Sequence, residues 1–171
     1  MKPLKGSYPA YFETYIGKVT EDDVLLALHN NLQACKQFFK SIPAEKENFT
    51  YAEGKWTIKQ VINHILDCER VFAYRALRFA RKDPQALTAF DEDAYAAEAD
   101  VNNRNLGDLL AELEALRWSN IFLFKSLSEE ALLRIGMMAS GETTVLSLGY
   151  MICGHANHHM QVIKEKYLKD F

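Results

Sequence analysis

Three of the chain's five histidines fall within five residues, in the run His155-Ala156-Asn157-His158-His159. A neutral imidazole nitrogen is a good ligand for a borderline divalent cation. Residues four apart in a helix lie about one turn apart on the same side. His155 and His159 have this spacing, so both rings can reach one ion. The neighbouring residues indicate which histidines face inward. Leu148, Ile152, His155, His159 and Val162 form one stripe, whereas His158 shares a more polar face with Gly154, Gln161 and Glu165. His155 and His159 are therefore the expected inward pair, with His158 the outer residue.

Two readings of the pair stand side by side. One is a pair of core histidines hydrogen-bonded to neighbouring side chains. The other is a metal site. Stacked buried rings have four nitrogens to satisfy and cannot both be protonated cheaply, and a metal takes one nitrogen from each. A catalytic site of the zinc type has three protein ligands and one open position. The remaining histidines are His29 and His64. His64 lies beside the buried face of its predicted helix, on the side of Cys68 and Arg75. His29 lies beside Gln33 and Lys36. His64 is the better third ligand. Cys68, one turn further on, is either a substitute ligand or a small buried thiol.

Four amphipathic segments must position these groups. In the first, Leu25, Leu28, Leu32, Cys35, Phe39 and Ile42 recur at steps of three and four after Thr20-Glu21-Asp22-Asp23. Thr20, with Asp23 three residues on, resembles an N-cap, and Pro43 stops the helix. The second begins at Thr57, ends near Lys82-Asp83-Pro84, and carries Val61, Ile65, Cys68, Glu69, Phe72 and Ala76 on its buried face. The third starts near Asn105, and the fourth runs from about Thr144 to about Leu168. Ser128-Glu129-Glu130 suggests a short extra turn, and Gly141-Glu142 a peripheral hairpin near Met137 to Thr144. The expectation is an all-α four-helix bundle, built as one domain over residues 1–171. Residues 83–104 form a connection long for a bundle, so it is either functional or a surface crossover.

Composition narrows the function. Hydrophobic residues at 49% and charged residues at 25% suit a globular core. A net charge of −3 gives no support for nucleic-acid binding, which needs a basic face. The longest uncharged stretch, from Thr143 up to but not including Lys164, is interrupted by three histidines, Asn157 and Gln161, so no membrane span is expected. The three cysteines, Cys35, Cys68 and Cys153, contain no CxxC pair. They read as reduced thiols of a cytoplasmic protein.

The string Lys55-Trp56-Thr57-Ile58-Lys59-Gln60-Val61-Ile62-Asn63-His64-Ile65-Leu66-Asp67-Cys68-Glu69-Arg70 resembles the second-helix signature of the DinB-like (damage-inducible, YfiT-related) superfamily. Gly154-His155-Ala156-Asn157-His158-His159-Met160 resembles its final-helix motif. Arg75-Ala76-Leu77-Arg78, Phe90-Asp91-Glu92 and Leu116-Arg117 are also similar, so the likeness runs from about Tyr8 to Leu168. It implies a DinB/YfiT-like four-helix bundle, often a homodimer. It also implies a divalent metal ion, nickel or zinc, held by His64, His155 and His159. One departure is Gln161, two residues beyond the last histidine and followed by Val162, which bears on pocket polarity.

The superfamily is similar to transferases and isomerases that use low-molecular-weight thiols, and to hydrolases. The expected activity is therefore a metal-dependent S-transfer to or from a small thiol, or hydrolysis of a small-molecule substrate. Asp91, Glu69 and Arg75 are candidate catalytic residues. Asp67, Cys68, Tyr95 and His158 are candidates to surround the ligands, since metal-bound imidazoles donate their other N–H to a neighbour. Glu69 falls on a buried face and demands a partner, such as a histidine or Arg117. Asn120, alone on a leucine-rich stripe, reads as a buried hydrogen-bonding residue. Two other readings remain: a non-catalytic or stress-response module stapled by its metal, and a metal-free binding bundle.

Overall fold

Local sequence accounts for most of the helices in the computed structural model, which describes residues 1–169. In chain order the elements are α1 (Glu13–Ile16), α2 (Val24–Lys40), α3 (Ile58–Ala80), α4 (Glu92–Glu98), α5 (Leu106–Lys125), α6 (Glu129–Leu132), strands β1 (Ile135–Met138) and β2 (Gly141–Thr144), and α7 (Val145–Val162), which ends in a π-helical turn over Ile163–Tyr167. Thr57 caps α3 in a reciprocal box. Its hydroxyl accepts from the Gln60 N–H at 3.2 Å, and the Gln60 side chain accepts from the Thr57 N–H at 2.8 Å. Asn105 caps α5 and Thr144 caps α7. The cap of α2 is Asp23, whose carboxylate accepts from the Leu26 N–H at 2.9 Å, rather than Thr20. The helix starts at Val24, so Thr20 lies outside the first turn and cannot reach its free N–H groups.

Helices α2, α3, α5 and α7 form the bundle, in the cyclic order α2–α5–α3–α7. Cross-helix contacts reveal their directions. His29 meets Trp118 and Lys36 meets Glu114, so α2 and α5 are antiparallel. Trp56 precedes α3 yet meets Tyr167 beyond α7, and His64 meets His155, so α3 and α7 are also antiparallel. Asn63 meets Arg104 and Glu69 meets Arg117, which makes α3 and α5 parallel. Parallel neighbours require a connection that travels the bundle's length. That is why residues 81–105 are long, and α4 within them packs against α3.

Apolar residues fill two cores. One gathers Phe12, Leu28, Phe72, Phe79, Phe124 and Leu148, and the other Cys35, Phe39, Ile62, Ile65, Leu109 and Leu113. A polar layer lies between them. Arg117 is 0% exposed and donates to Glu69 at 2.7 and 2.9 Å and to Asn31 at 2.6 Å. Asn120 donates to Glu69 at 2.9 Å. These bonds tie α2, α3 and α5 together, and Asn31 extends the tie to α7 through the Cys153 carbonyl and Asn157.

The expected hairpin forms, with Ile135 and Met137 exposed. Leu87 in the long connection donates its N–H to the Met137 carbonyl at 2.9 Å, joining that connection to β1. Met138 is buried. Among the described residues, no helix is long and apolar enough to cross a membrane.

Candidate metal centre

Helices α3 and α7 carry the histidines, and their antiparallel packing brings His64 level with the α7 pair. The Nε2 of His155 lies 3.1 Å from the Nε2 of His64 and 3.1 Å from the Nε2 of His159. Ligand atoms of the three rings all lie within 4.8 Å of one another. One imidazole nitrogen offers either a single lone pair or a single proton, so His155 cannot satisfy both neighbours with good geometry. A cation satisfies all three. Tetrahedral bonds of about 2.0–2.1 Å place neighbouring ligand atoms roughly 3.3 Å apart, close to the spacings seen. The donor set therefore fits a divalent ion.

Electrostatics favour the same state. Burial pushes His64 down to about 4 and His159 down to about 3, with the charges of His64 and His158 adding to the latter. His155 is held well below the ordinary imidazole value by burial and then by His159, His64 and His158. All three rings are neutral near pH 7, as ligation requires.

Aromatic residues surround the cluster. Tyr15 stands edge-on to His155 with ring centroids 5.3 Å apart, Trp56 lies 4.8 Å from His64, and Phe72 lies 6.0 Å from His155. Tyr15 reaches the site because α1 packs directly on Gly154. A Cβ there would overlap the Tyr15 carbonyl.

The three ligands line one side of a cavity of about 410 Å³. Its other walls include Cys68 and Arg75 from α3, Phe90, Glu92 and Asp93 from the long connection and α4, and Met138 and Ser140 from the hairpin. Arg75 is 7% exposed and donates to the Thr88 carbonyl at 2.9 Å.

Other candidates lie elsewhere. Asp91 caps α4, its carboxylate accepting from the Asp93 and Ala94 N–H groups at 3.1 and 3.0 Å, and it is outside the cavity lining. Its neighbours Glu92 and Asp93 face the cavity instead. Glu69 has both carboxylate oxygens engaged by Arg117 and Asn120, so of its two expected partners it takes the arginine. Asp67 accepts from Asn63 at 2.9 Å, not from a ligand histidine. Tyr95 is exposed and packs on Phe90. His158 packs on Tyr15, outside the converging set, and His29 is exposed beside Trp118. Cys68 lies 3.6 Å from the His64 Nε2, but its thiol is pushed up to about 12 by burial and it is not one of the three converging ligands.

The sequence did not assign Tyr15, Phe72, Glu92, Asp93 or the expected hairpin to the site, although all of them line its cavity. Phe72 carried a signal, standing one turn beyond Cys68 on the stripe of His64. Tyr15 carried none, because only the packing of α1 on Gly154 delivers it.

Comparison with known proteins agrees with the fold. A protein of Oceanobacillus iheyensis named "Putative metal-dependent hydrolase" is 28% identical over 152 residues, 86% of this chain and 87% of its own length. YfiT of Bacillus subtilis, which bears the same description, is 22% identical over 153 residues, 88% of this chain and 85% of its own length. The solved YfiT structure is described as a probable metal-dependent hydrolase with an unusual four-helix bundle topology. It matches with a TM-score of 0.75 at 19% identity, covering 99% of this chain and 93% of that one. A mycothiol-dependent maleylpyruvate isomerase shares the fold at a TM-score of 0.65 and 13% identity, covering 85% of this chain and 61% of its own. The DinB superfamily profile matches residues 27–163, and this protein belongs to the DinB superfamily.

Proposed function

We propose that this protein is a metal-dependent enzyme acting on a small substrate, by hydrolysis or by transfer to or from a low-molecular-weight thiol. His64, His155 and His159 would hold one divalent ion, nickel or zinc. The observation that carries the reading is that the three nitrogens converge on the wall of an open cavity. A structural metal is normally closed by a fourth protein ligand. Among the described residues the converging set contains three.

A bound divalent ion supplies Lewis acidity and lowers the pKa of an acidic O–H or S–H group beside it. The chain's own residues do the rest. Burial keeps the three ligand nitrogens unprotonated. Trp56 packs on the His64 ring, and Tyr15 and Phe72 pack on the His155 ring, which orients these two ligands. Glu92 and Asp93, exposed in the first turn of α4, set a negative field at the cavity mouth. The hydrolase names of the relatives support the first reaction class, and the thiol-dependent neighbour of like fold supports the second.

Elemental analysis of the purified protein should find about one divalent ion per chain, and His155→Ala should remove it. The native protein should then turn over an activated ester, or couple an electrophilic fluorophore to cysteine, and lose that activity on chelation. A protein that holds no ion, or whose turnover survives chelation, would overturn the reading.

A further inference from the structure

The cavity holds a second feature that the metal does not explain. Arg75 is 7% exposed, and among the described residues no carboxylate pairs with it. The other deeply buried arginine, Arg117, is matched by Glu69 on two oxygens. Removing a guanidinium from water is costly unless a counter-charge compensates. Among the described residues, Arg75 donates to the Thr88 carbonyl and makes a long contact to the Met138 sulfur at 3.8 Å, with the Phe90 ring 5.9 Å from its guanidinium carbon and the Cys68 thiol as its electrostatic neighbour. A guanidinium has five N–H donors, so part of its capacity faces the cavity it lines. Thr88 and Phe90 fix its plane, which lowers the ordering cost of binding a partner.

We infer that Arg75 is a recognition site for a carboxylate on the substrate, at the end of the cavity away from the three histidines. The inference rests on the proposed metal-dependent activity and narrows its substrate to a small organic acid. Planar carboxylates match the guanidinium fork, whereas Glu92 and Asp93 at the exposed mouth repel a second anionic group there. The spacing sets a length. His64 and Arg75 are eleven residues apart on α3, about 16 Å along its axis, and the arginine side chain leans back toward His64. A ligand touching both ends therefore spans roughly 10 Å.

The probes are mercaptohexanoate and mercaptooctanoate against mercaptohexanol and mercaptooctanol, titrated calorimetrically into zinc-loaded full-length protein. The acids should bind roughly ten- to a hundredfold more tightly than the alcohols. Arg75→Gln should erase that preference while retaining zinc and the thermal midpoint, and Arg75→Lys should keep part of it. Equal binding of acid and alcohol by the native protein would overturn the inference, as would a preference that survives Arg75→Gln. If the protein retains no zinc, the metal reading fails separately. Hexanoate against hexanol in the metal-free protein then reads Arg75 alone, with the same expected preference and the same overturning result.

Discussion

Gly154 lies directly beneath the backbone carbonyl of Tyr15, so close that no side chain fits between α7 and α1. One residue further on is His155, and the ring packed edge-on against it is that of Tyr15. The small residue in the metal motif therefore admits α1 to the site rather than loosening the helix. Gly154→Ala should push α1 away, costing about 1–3 kcal/mol through overpacking, and weaken metal retention. Denaturation midpoint and metal affinity test this together. An unchanged midpoint would mean that α1 is not seated as described.

The Glu69–Arg117 pair is a structural brace. Arg117→Met would leave Glu69 buried and unpaired, with an expected loss of about 3–5 kcal/mol. Glu69→Leu combined with Arg117→Met removes both charges and should recover much of that loss. Urea unfolding of the three proteins distinguishes the cases. If the single and double variants are equally unstable, packing rather than charge is what the pair supplies.

What could be read from the chain was what depends on near neighbours. The Thr57 cap, the helix starts near Asn105 and Thr144, the helical stripes and the inward side of His155 and His159 are all local features, and the structure places them where the local sequence puts them. Asn120 is buried and hydrogen-bonded, as a lone amide on a leucine stripe must be. Helix direction was not legible, because the parallel pairing of α3 with α5 arises from packing and leaves its mark only in the length of residues 81–105. Asp91 misled for a local reason. An acidic residue before a short helix serves equally as a cap or as a base, and here the α4 backbone N–H groups of Asp93 and Ala94 both donate to its Oδ1. The hairpin's role escaped because it depends on the bond from Leu87 to Met137, fifty residues away in sequence.

Metal-free protein should lose stability as the pH falls from 7.5 to 5.5. Each ligand histidine titrates near 6.5 when unfolded and lower when folded, at about 4 for His64 and about 3 for His159. Across that interval the unfolded chain binds more protons, so acid favours unfolding. The contribution is fully present above 6.5 and disappears as the pH falls through the folded values. Three such groups give a loss on the order of 2–4 kcal/mol by pH 5.5. Carboxylates titrate mostly below this window. Saturating zinc should offset part of the loss, since it binds the folded, neutral rings. Chemical denaturation at several pH values provides the measurement, and a flat profile for the metal-free protein would rule the buried neutral triad out.

Cys68 and His158 are two residues near the triad that could compete for ligand status, and geometry separates them from it. The Cys68 thiol lies 3.6 Å from the His64 Nε2, yet burial keeps it protonated and it is outside the converging set. His158 turns its ring to Tyr15. Cys68→Ser and His158→Ala should each retain about one ion per chain, with affinity within roughly tenfold of native, the range expected when a neighbour of a ligand is altered. His64→Ala should instead lose the ion, because two histidines on one helix leave half of a tetrahedral shell to solvent. The decisive comparison is metal content after dialysis against a weak chelator. Loss of the ion from Cys68→Ser but not from His64→Ala would make the centre a Cys–His₂ site and remove His64 from it. Retention in Cys68→Ser leaves the sulfur as a wall of the cavity, where it can pack against a substrate but not hold the metal.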